Sequence, residues 1–136
     1  MMTKMPKFRA WDKFDKVMRD VTLLDYNHNF VGYSYPVFMK STMHMELMQS
    51  TGLFDKNGKE IFEGDIVKRY KSPFHKAKWE YQIETVLKEK ASLLLGREFG
   101  KNFGTIPFDS PFARSELLEV IGNIYENQEL LEEEND

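Results

Sequence analysis

The dipeptide Asn57-Gly58 constrains the fold of this chain more than any other local feature. Both residue types accept a positive φ angle, so the pair is typical of the two central positions of a tight β-hairpin turn. The turn is followed by four β-formers: Ile61, Phe62, Ile66 and Val67. Residues 63–65, with the sequence Glu-Gly-Asp, separate these two pairs and indicate a bulge or kink at the entry to a new strand. Residues 50–67 are therefore predicted to form a hairpin followed by a strand.

Before this hairpin, alternating polar and apolar side chains predict further short strands. These strands cover residues 6–11, 17–26, 30–35 and 43–48, with polar turns at 12–16 and 27–29. Pro36 limits the third of them to an edge or an end of a sheet. Residues 37–48 leave a second interpretation open, because their Met and Leu residues also favour a helix. The strand is preferred because its apolar residues alternate with polar ones, which places Met43, Met45 and Leu47 on one face and His44 and Glu46 on the other.

After the hairpin, the sequence predicts three more strands and a helical turn. The strands cover residues 79–88, 91–95 and 117–125, and the helical turn covers residues 127–132. Residues 96–104 are predicted to form a loop. Residues 105–115 are predicted to be an irregular segment anchored by Phe108 and Phe112. The alternation in the first of these strands is strict and places Tyr81 on the buried face and Glu84 on the solvent face. Gly122 marks a bulge or a close approach of the backbone in the last strand. Asn127 is placed to cap the helical turn.

Composition and length narrow the classes of protein to which this chain can belong. At 136 residues and a net charge of -3, it has the size of one domain, or of one domain with an N-terminal elaboration. It contains no cysteine, which excludes disulfides, thiolate zinc sites and iron–sulfur clusters. No secretory signal and no apolar run of roughly 18 residues is present, so a soluble intracellular protein without membrane contact is expected. The strand pattern predicts a mainly β fold, as a small antiparallel barrel or a sandwich.

Three separated motifs stand out along the chain. They are residues 6–12 (PKFRAWD), residues 48–53 (MQSTGL) with 55–67 (DKNGKEIFEGDIV), and residues 119–127 (EVIGNIYEN). Together and in this order they resemble the YopX family of phage and prophage proteins, and the resemblance spans nearly the whole chain. Two features depart from it. Gln128 stands where the family usually has Pro, and the segment 68–112 is variable in the family and carries no motif.

The resemblance implies a phage or prophage origin, and with it the cytoplasm of a bacterial host. It also implies a barrel similar to the SH3 type after Thr51. The expected fold is therefore mainly β, a small antiparallel SH3-like barrel with an N-terminal β-hairpin region and a short C-terminal helical turn. The expected divisions are residues 1–50, residues 51–127 and an acidic tail at 128–136, in one compact unit overall. The family has no established activity, so the resemblance implies no catalytic residue.

Patterns that could carry chemistry are weak. Residues 55–58 resemble the start of a calcium loop but lack its later ligands, and residues 96–102 lack the spacing of a phosphate loop. Three histidines have no ligand spacing between them: His28, His44 and His75. Three acidic residues have no base or nucleophile tied to them by spacing: Glu60, Glu63 and Asp65. The sequence therefore predicts no catalytic residue, no metal site and no cofactor.

One stretch combines cations with aromatic rings and is predicted to be a long loop after the hairpin. The candidate nucleic-acid-binding residues in it are Lys68, Arg69, Tyr70, Lys71, His75, Lys76, Lys78 and Trp79. Lysine and arginine attract phosphates, and aromatic rings can stack on bases. The alternative interpretation is a set of solvated lysines with the rings turned into the core, and it stays open because the chain as a whole is not basic.

Three functions follow from these observations. The first is a non-enzymatic module for protein–protein binding or self-association, because a small domain cannot bury every aromatic and Met residue in strands that contain Tyr33, Tyr35, Phe38 and Met39. The alternative is nucleic-acid binding through residues 68–79. An enzyme ranks last, since no acid, base and nucleophile have the spacing that catalysis needs.

Overall fold

The N-terminal strands form an antiparallel sheet in the computed structural model, which describes residues 6–34, 38–73, 76, 78, 80–89, 92–96, 105–107 and 114–133. The strands are β1 (Phe8–Asp12), β2 (Val17–Asp25), β3 (Phe30–Tyr33), β4 (Phe38–Ser41) and β5 (Met45–Phe54), and a 3-10 helix (Thr42–His44) separates the last two. Their order in the sheet is β4-β3-β2-β1-β5. The chain divides into two compact units, Met1–Ser50 and Thr51–Asp136, and β5 begins in the first and ends in the second.

The N-terminal unit has its own core on one face of this sheet. Its buried members are Ala10, Val31, Tyr33 and Met45, with Val21 and Leu24 packed against them. The register accounts for the cluster, because Val31 lies opposite Leu24 and Tyr33 lies opposite Val21 on the neighbouring strand. Directly opposed residues share a face of a sheet, so these side chains meet.

The C-terminal unit contains the remaining strands. They are β6 (Glu60–Phe62), β7 (Asp65–Tyr70), β8 (Tyr81–Glu89), β9 (Ser92–Gly96), β10 (Thr105–Pro107) and β11 (Leu118–Asn123), followed by the helix α1 (Glu129–Glu133). Strand β6 lies beside β5, and the others form an antiparallel sheet in the order β10-β9-β8-β7-β11. The core of this unit comprises Ile61, Val67, Val86 and Leu118, with Leu53 and Val120 packed against it.

Most of the predicted strands are present, and the mainly β, antiparallel class is confirmed. The helix interpretation of residues 37–48 is wrong for the residues that are described, because they form β4, the 3-10 helix and the start of β5. The predicted apolar face of this strand is also wrong in part. Met45 and Met48 are buried whereas Leu47 is 38% exposed, so both faces of β5 are partly covered. Met43 belongs to the 3-10 helix and is 78% exposed. The predicted Pro36 boundary and the anchors Phe108 and Phe112 lie outside the described residues.

The turn at Asn57-Gly58 connects β5 and β6 as predicted, but its geometry differs. Gly58 has a φ of 82°, and Asn57 is not among the described residues with a positive φ. The Gly58 N–H donates to the Asp55 carbonyl at 3.0 Å, and the Asp55 N–H donates to the Lys59 carbonyl at 2.8 Å. These bonds are typical of a longer hairpin loop in which a β-turn is followed by a left-handed glycine. The prediction of two positive φ angles was therefore wrong.

The bulge or kink predicted at residues 63–65 is instead a tight turn between β6 and β7. Gly64 has a φ of 87°, and the Asp65 carboxylate accepts a hydrogen bond from the Phe62 N–H at 2.7 Å. The turn is tied to β8 and to the residue that follows β11, because the Gly64 N–H donates to the Val86 carbonyl and the Gly64 carbonyl accepts from the Ile124 N–H, both at 2.9 Å. Asp65 is 1% exposed, so its carboxylate stabilises this turn from within the structure and is not available to solvent.

Gly122 marks both features that the sequence predicted for it. The register of β11 against β7 shifts between Val120 and Gly122, which is a bulge. A Cβ atom on Gly122 would lie 2.5 Å from Oδ1 of Asn127, so the backbone is also closely approached. The same Asn127 oxygen accepts a hydrogen bond from the Asn123 N–H at 3.1 Å. The Asn127 side chain therefore faces β11, and the prediction that it caps the helical turn was wrong.

The strand pairing among the described residues does not close into a barrel, because β10 and β11 are the edges of the five-stranded sheet. Within the same residues, no helix has the length and apolar content to cross a membrane.

Candidate functional site

An apolar surface lies on the outer side of the N-terminal sheet and comprises Leu23, Phe30 and Met39. These side chains are 44%, 39% and 43% exposed. Leu23 and Met39 both lie opposite Gly32, one on each side of β3, and Phe30 is two residues from Gly32 on the same face. Gly32 is buried and has no side chain, so no side chain lies between Leu23 and Met39 on this face. The three side chains therefore form one continuous exposed patch on three adjacent strands.

This surface reaches the edge of the sheet. Strand β4, which carries Met39, is the last strand in the order, and it presents Phe38 at 58% exposure on the opposite face of the sheet. The Phe38 ring stacks on Tyr33 with centroids 6.1 Å apart. Edge strands usually carry outward charges that discourage pairing with other chains. Here the charged residue of β4, Lys40, is bonded to Asp12 and Asp15 instead.

A pocket of about 360 Å³ adjoins the apolar surface at Ser41, which lies opposite Phe30. Its lining consists of Phe14, Lys40, Ser41 and His44. The Phe14 ring is 76% exposed and meets the His44 ring edge-on, with centroids 6.3 Å apart. The pocket therefore extends the exposed apolar area from the sheet to the β1–β2 turn.

The charges beside this pocket are held in a fixed network. Asp12 is fully buried, and its carboxylate accepts hydrogen bonds from the N–H groups of Phe14 and Asp15, from Arg19 Nε and from Lys40 Nζ at 2.7 Å. Burial alone raises the pKa of Asp12, but these donors outweigh it and lower the pKa to about 2. The same bond to Asp12, with a second to Asp15 at 2.7 Å, raises the pKa of Lys40. These groups therefore stay ionised near neutral pH and are not suited to proton transfer.

The candidate nucleic-acid-binding residues do not all lie on one loop. Lys68, Arg69 and Tyr70 belong to β7, while Lys71, Lys76 and Lys78 are exposed beyond its end. Arg69 is 5% exposed and forms a buried ion pair with Glu84 of β8, which is 2% exposed. The prediction that Glu84 faces solvent was wrong, because its charge is matched by Arg69. His75 and Trp79 lie outside the described residues.

A tyrosine–lysine face, comprising Lys56, Lys68, Tyr70 and Tyr81, lies on the C-terminal sheet. Tyr70 and Tyr81 are directly opposed on β7 and β8, with ring centroids 5.8 Å apart. The ammonium group of Lys56 lies 4.4 Å from the Tyr70 centroid, and that of Lys68 lies 4.5 Å from the Tyr81 centroid. Tyr81 is 39% exposed, so the prediction that it faces the core was wrong.

Glu119 positions the Tyr70 ring within this face. The Tyr70 hydroxyl donates to Glu119 Oε1 at 3.0 Å, and Asn57 Nδ2 donates to Glu119 Oε2 at 3.4 Å. The bond to Glu119 raises the pKa of Tyr70, and burial adds to the effect. Tyr70 is therefore protonated at neutral pH and keeps its ring orientation.

Among the described residues, no group of three or more His, Asp or Glu side chains is arranged to hold a metal ion. His28 Nδ1 lies 2.9 Å from Asp25 Oδ2 in the β2–β3 turn, and His44 belongs to the pocket described above.

The sequence did not identify Leu23, Phe30 or Lys56 as parts of a surface. Each becomes visible only when the strand register is known, because the residues that they meet are distant in sequence. Of the residues named for protein binding, Tyr33 is 8% exposed, Phe38 and Met39 are exposed, and Tyr35 lies outside the described residues.

Comparison with known proteins agrees with the sequence motifs. A family model described as YopX protein matches residues 7–132, which is nearly the whole chain. A crystal structure of protein EF1440 from Enterococcus faecalis is similar at 34% sequence identity and a TM-score of 0.59, covering 95% of this chain and 99% of that chain. No curated protein matches the chain.

Proposed function

We propose that this chain, which belongs to the YopX family, is a non-enzymatic module that binds a protein partner or a second copy of itself. The observation that carries the proposal is the apolar surface of Leu23, Phe30 and Met39 at the edge of the N-terminal sheet. Contiguous exposed apolar side chains, as distinct from scattered ones, mark interaction sites in soluble proteins.

The edge strand β4 supports the same proposal. Its outer side has no partner strand among the described residues, and an extended segment of another chain can pair with such an edge. The backbone would supply hydrogen bonds, and Phe38 and Met39 would supply apolar contact on the two faces of the added strand.

The fixed charges near the pocket support a binding role over a catalytic one. The Lys40 ammonium group lies 5.4 Å from the centroid of the exposed Phe14 ring, and it is bonded to Asp12. A general acid or base needs a pKa near the working pH, and both shifts move away from it.

The proposal is tested by the mass of the purified protein as a function of concentration, together with crosslinking and affinity capture from a bacterial lysate. Phe30→Lys and Met39→Lys place a charge in the apolar surface, and we expect each to abolish self-association or capture of a specific partner. Phe54→Lys is the matched control, because Phe54 is 49% exposed on the C-terminal unit. A monomer that captures nothing, or variants that bind as the wild type does, would contradict the proposal.

Three finer features belong to this proposal. The motifs support a phage or prophage origin and action in the host cytoplasm. The meander from β7 to β10, and the 3-10 helix at Ser115–Leu117 directly before β11, support an SH3-like barrel in the C-terminal unit. Closure of that barrel would require the edge strands of the five-stranded sheet, β10 and β11, to pair with further strands.

Nucleic-acid binding is the second candidate function. It is favoured by the exposed lysines at residues 71, 76 and 78 and by the tyrosine–lysine face beside them. Arg69 is excluded from a surface role by its burial against Glu84, so the remaining cations would carry the interaction.

A further inference from the structure

We propose that the tyrosine–lysine face binds single-stranded nucleic acid, with a base stacked on Tyr81 and backbone phosphates beside Lys56 and Lys68. The proposal deepens the second candidate function and rests on it. It moves the contact from the basic loop to the surface of the sheet, and it includes two residues outside the basic stretch at 68–79, Lys56 and Tyr81.

The first argument is the geometry of the rings. Tyr70 and Tyr81 are directly opposed on adjacent strands, and their planes are inclined by 56°. Tyr70 is fixed by its hydrogen bond to Glu119, and it supports the side of Tyr81. Tyr81 therefore presents an exposed, positioned ring on a rigid sheet. Rings of this kind stack on bases of any sequence, because every base has a π-face.

The second argument is the charge around the rings. Lys56 and Lys68 form no ion pair within the described part of the chain, and each ammonium group rests on a tyrosine ring. Glu119 and Glu80 lie near the rings and offset these two charges, so the two ammonium groups attract phosphates locally and not through a net positive charge of the face. An exposed contact between an ammonium group and a ring is weak, so a base can replace the ammonium group on the ring at little cost. The flexible lysine side chain can then move so that its ammonium group contacts the adjacent phosphate.

The third argument separates single strands from duplexes. In a duplex the bases are stacked on one another and cannot reach Tyr81, whereas the bases of a single strand can turn outward. Tight duplex binding without base contacts relies on many phosphate contacts. The face supplies two lysines, and the chain as a whole has a net charge of -3. Its chemistry therefore fits a single strand.

The test measures the fluorescence anisotropy of a labelled short oligothymidine, an abasic strand of the same length and a duplex, with the full chain at low salt. We expect the oligothymidine to bind about tenfold more tightly than the abasic strand, which has the same charge but no bases. The logarithm of the affinity should fall with that of the salt concentration with a slope of about -1.4, since two phosphates are contacted. Equal binding of the abasic strand or the duplex would overturn the proposal.

Two variants locate the contact. Tyr81→Leu keeps an apolar side chain but removes the ring, and we expect it to reduce binding about tenfold. Lys56→Gln should weaken binding, whereas Lys59→Gln should change it little, because Lys59 is an exposed lysine of the same hairpin loop that lies over neither ring. Circular dichroism establishes that each variant is folded.

A third variant separates this proposal from the function on which it rests. It replaces the lysines at 71, 76 and 78 by glutamine. Binding that is lost in this variant but retained in Tyr81→Leu would leave nucleic-acid binding intact and overturn the role of the tyrosine–lysine face. Absence of binding to all three probes would overturn both.

Discussion

The Asp55 carboxylate accepts a hydrogen bond from the backbone N–H of Val120 at 2.9 Å, which joins the β5–β6 turn to the last strand. Its other oxygen accepts from the N–H groups of Asn57 and Lys59, both at 2.8 Å. Burial by itself raises the pKa of Asp55, but these hydrogen bonds outweigh it and hold the pKa below its usual value. A single buried carboxylate therefore shapes the turn and attaches it to β11.

We expect Asp55→Asn to lower the free energy of unfolding by about 1–3 kcal/mol. An asparagine keeps one accepting oxygen for the turn, but it directs an NH2 group at the Val120 N–H, where two donors face each other. Equilibrium unfolding in urea measures the loss. Asp20→Asn is the control, because Asp20 is exposed, and a loss of the same size there would contradict this explanation.

The buried pair of Arg69 and Glu84 predicts an asymmetry between single and double variants. Glu84→Leu leaves the guanidinium buried with the side-chain oxygen of Gln82 at 3.4 Å, and it should cost about 3–5 kcal/mol. Arg69→Met combined with Glu84→Leu removes both charges and should recover most of that loss. Unfolding in guanidinium chloride compares the variants. A double variant as unstable as Glu84→Leu alone would show that the pair does not act as a unit.

The close contact of Gly122 with Asn127 predicts a coupled pair of substitutions. Gly122→Ala places a methyl group where Asn127 Oδ1 lies and should destabilise the protein by about 1–3 kcal/mol. In the Asn127→Gly background the obstructing side chain is gone, so the same substitution should cost markedly less. Thermal unfolding of the four proteins in this cycle gives the coupling energy, and strictly additive losses would rule out the contact as the cause.

Asp12 predicts a loss of stability in acid. Its folded-state pKa of about 2 lies below the usual 3.8, so its contribution is present above pH 3.8 and is lost as the pH falls toward 2. The size of this contribution is about 2 kcal/mol. Lys40 remains protonated throughout that range, because a lysine ammonium group loses its proton only in base. Unfolding measured across the acid range should show a smaller decline in Asp12→Asn than in the wild type, and identical declines would contradict the assignment.

Local patterns were sufficient for most of the strands. The alternation in residues 17–26 and the glycine signals at Gly58, Gly64 and Gly122 depend only on neighbours in sequence, and each corresponds to a strand, turn or bulge in the structure. The loop predicted for the basic stretch begins later in the structure, because β7 continues through Tyr70. Charged residues can occupy a strand when a residue on the neighbouring strand supplies an interaction partner for the charge.

Several features that the sequence could not supply depend on strand register. Glu84 alternates with apolar residues and therefore indicates a solvent face, yet Arg69, on the adjacent strand, stabilises its charge in the interior. The apolar surface likewise exists because Leu23 and Met39 both lie opposite Gly32. Pairing of this kind is not encoded within any short segment, so alternation alone cannot reveal it.

The bond from Val120 to Asp55 also bears on the biosynthesis of the chain. The N-terminal sheet has all its strand neighbours within the first part of the sequence, so those pairings can form while translation continues. In the C-terminal unit, one side of β7 and one oxygen of Asp55 have no partner until β11, a much later segment of the sequence, has been synthesised. A translational pause or a premature stop before residue 118 would therefore expose β7 as an unpaired edge, in a nascent chain that would depend on chaperones for protection.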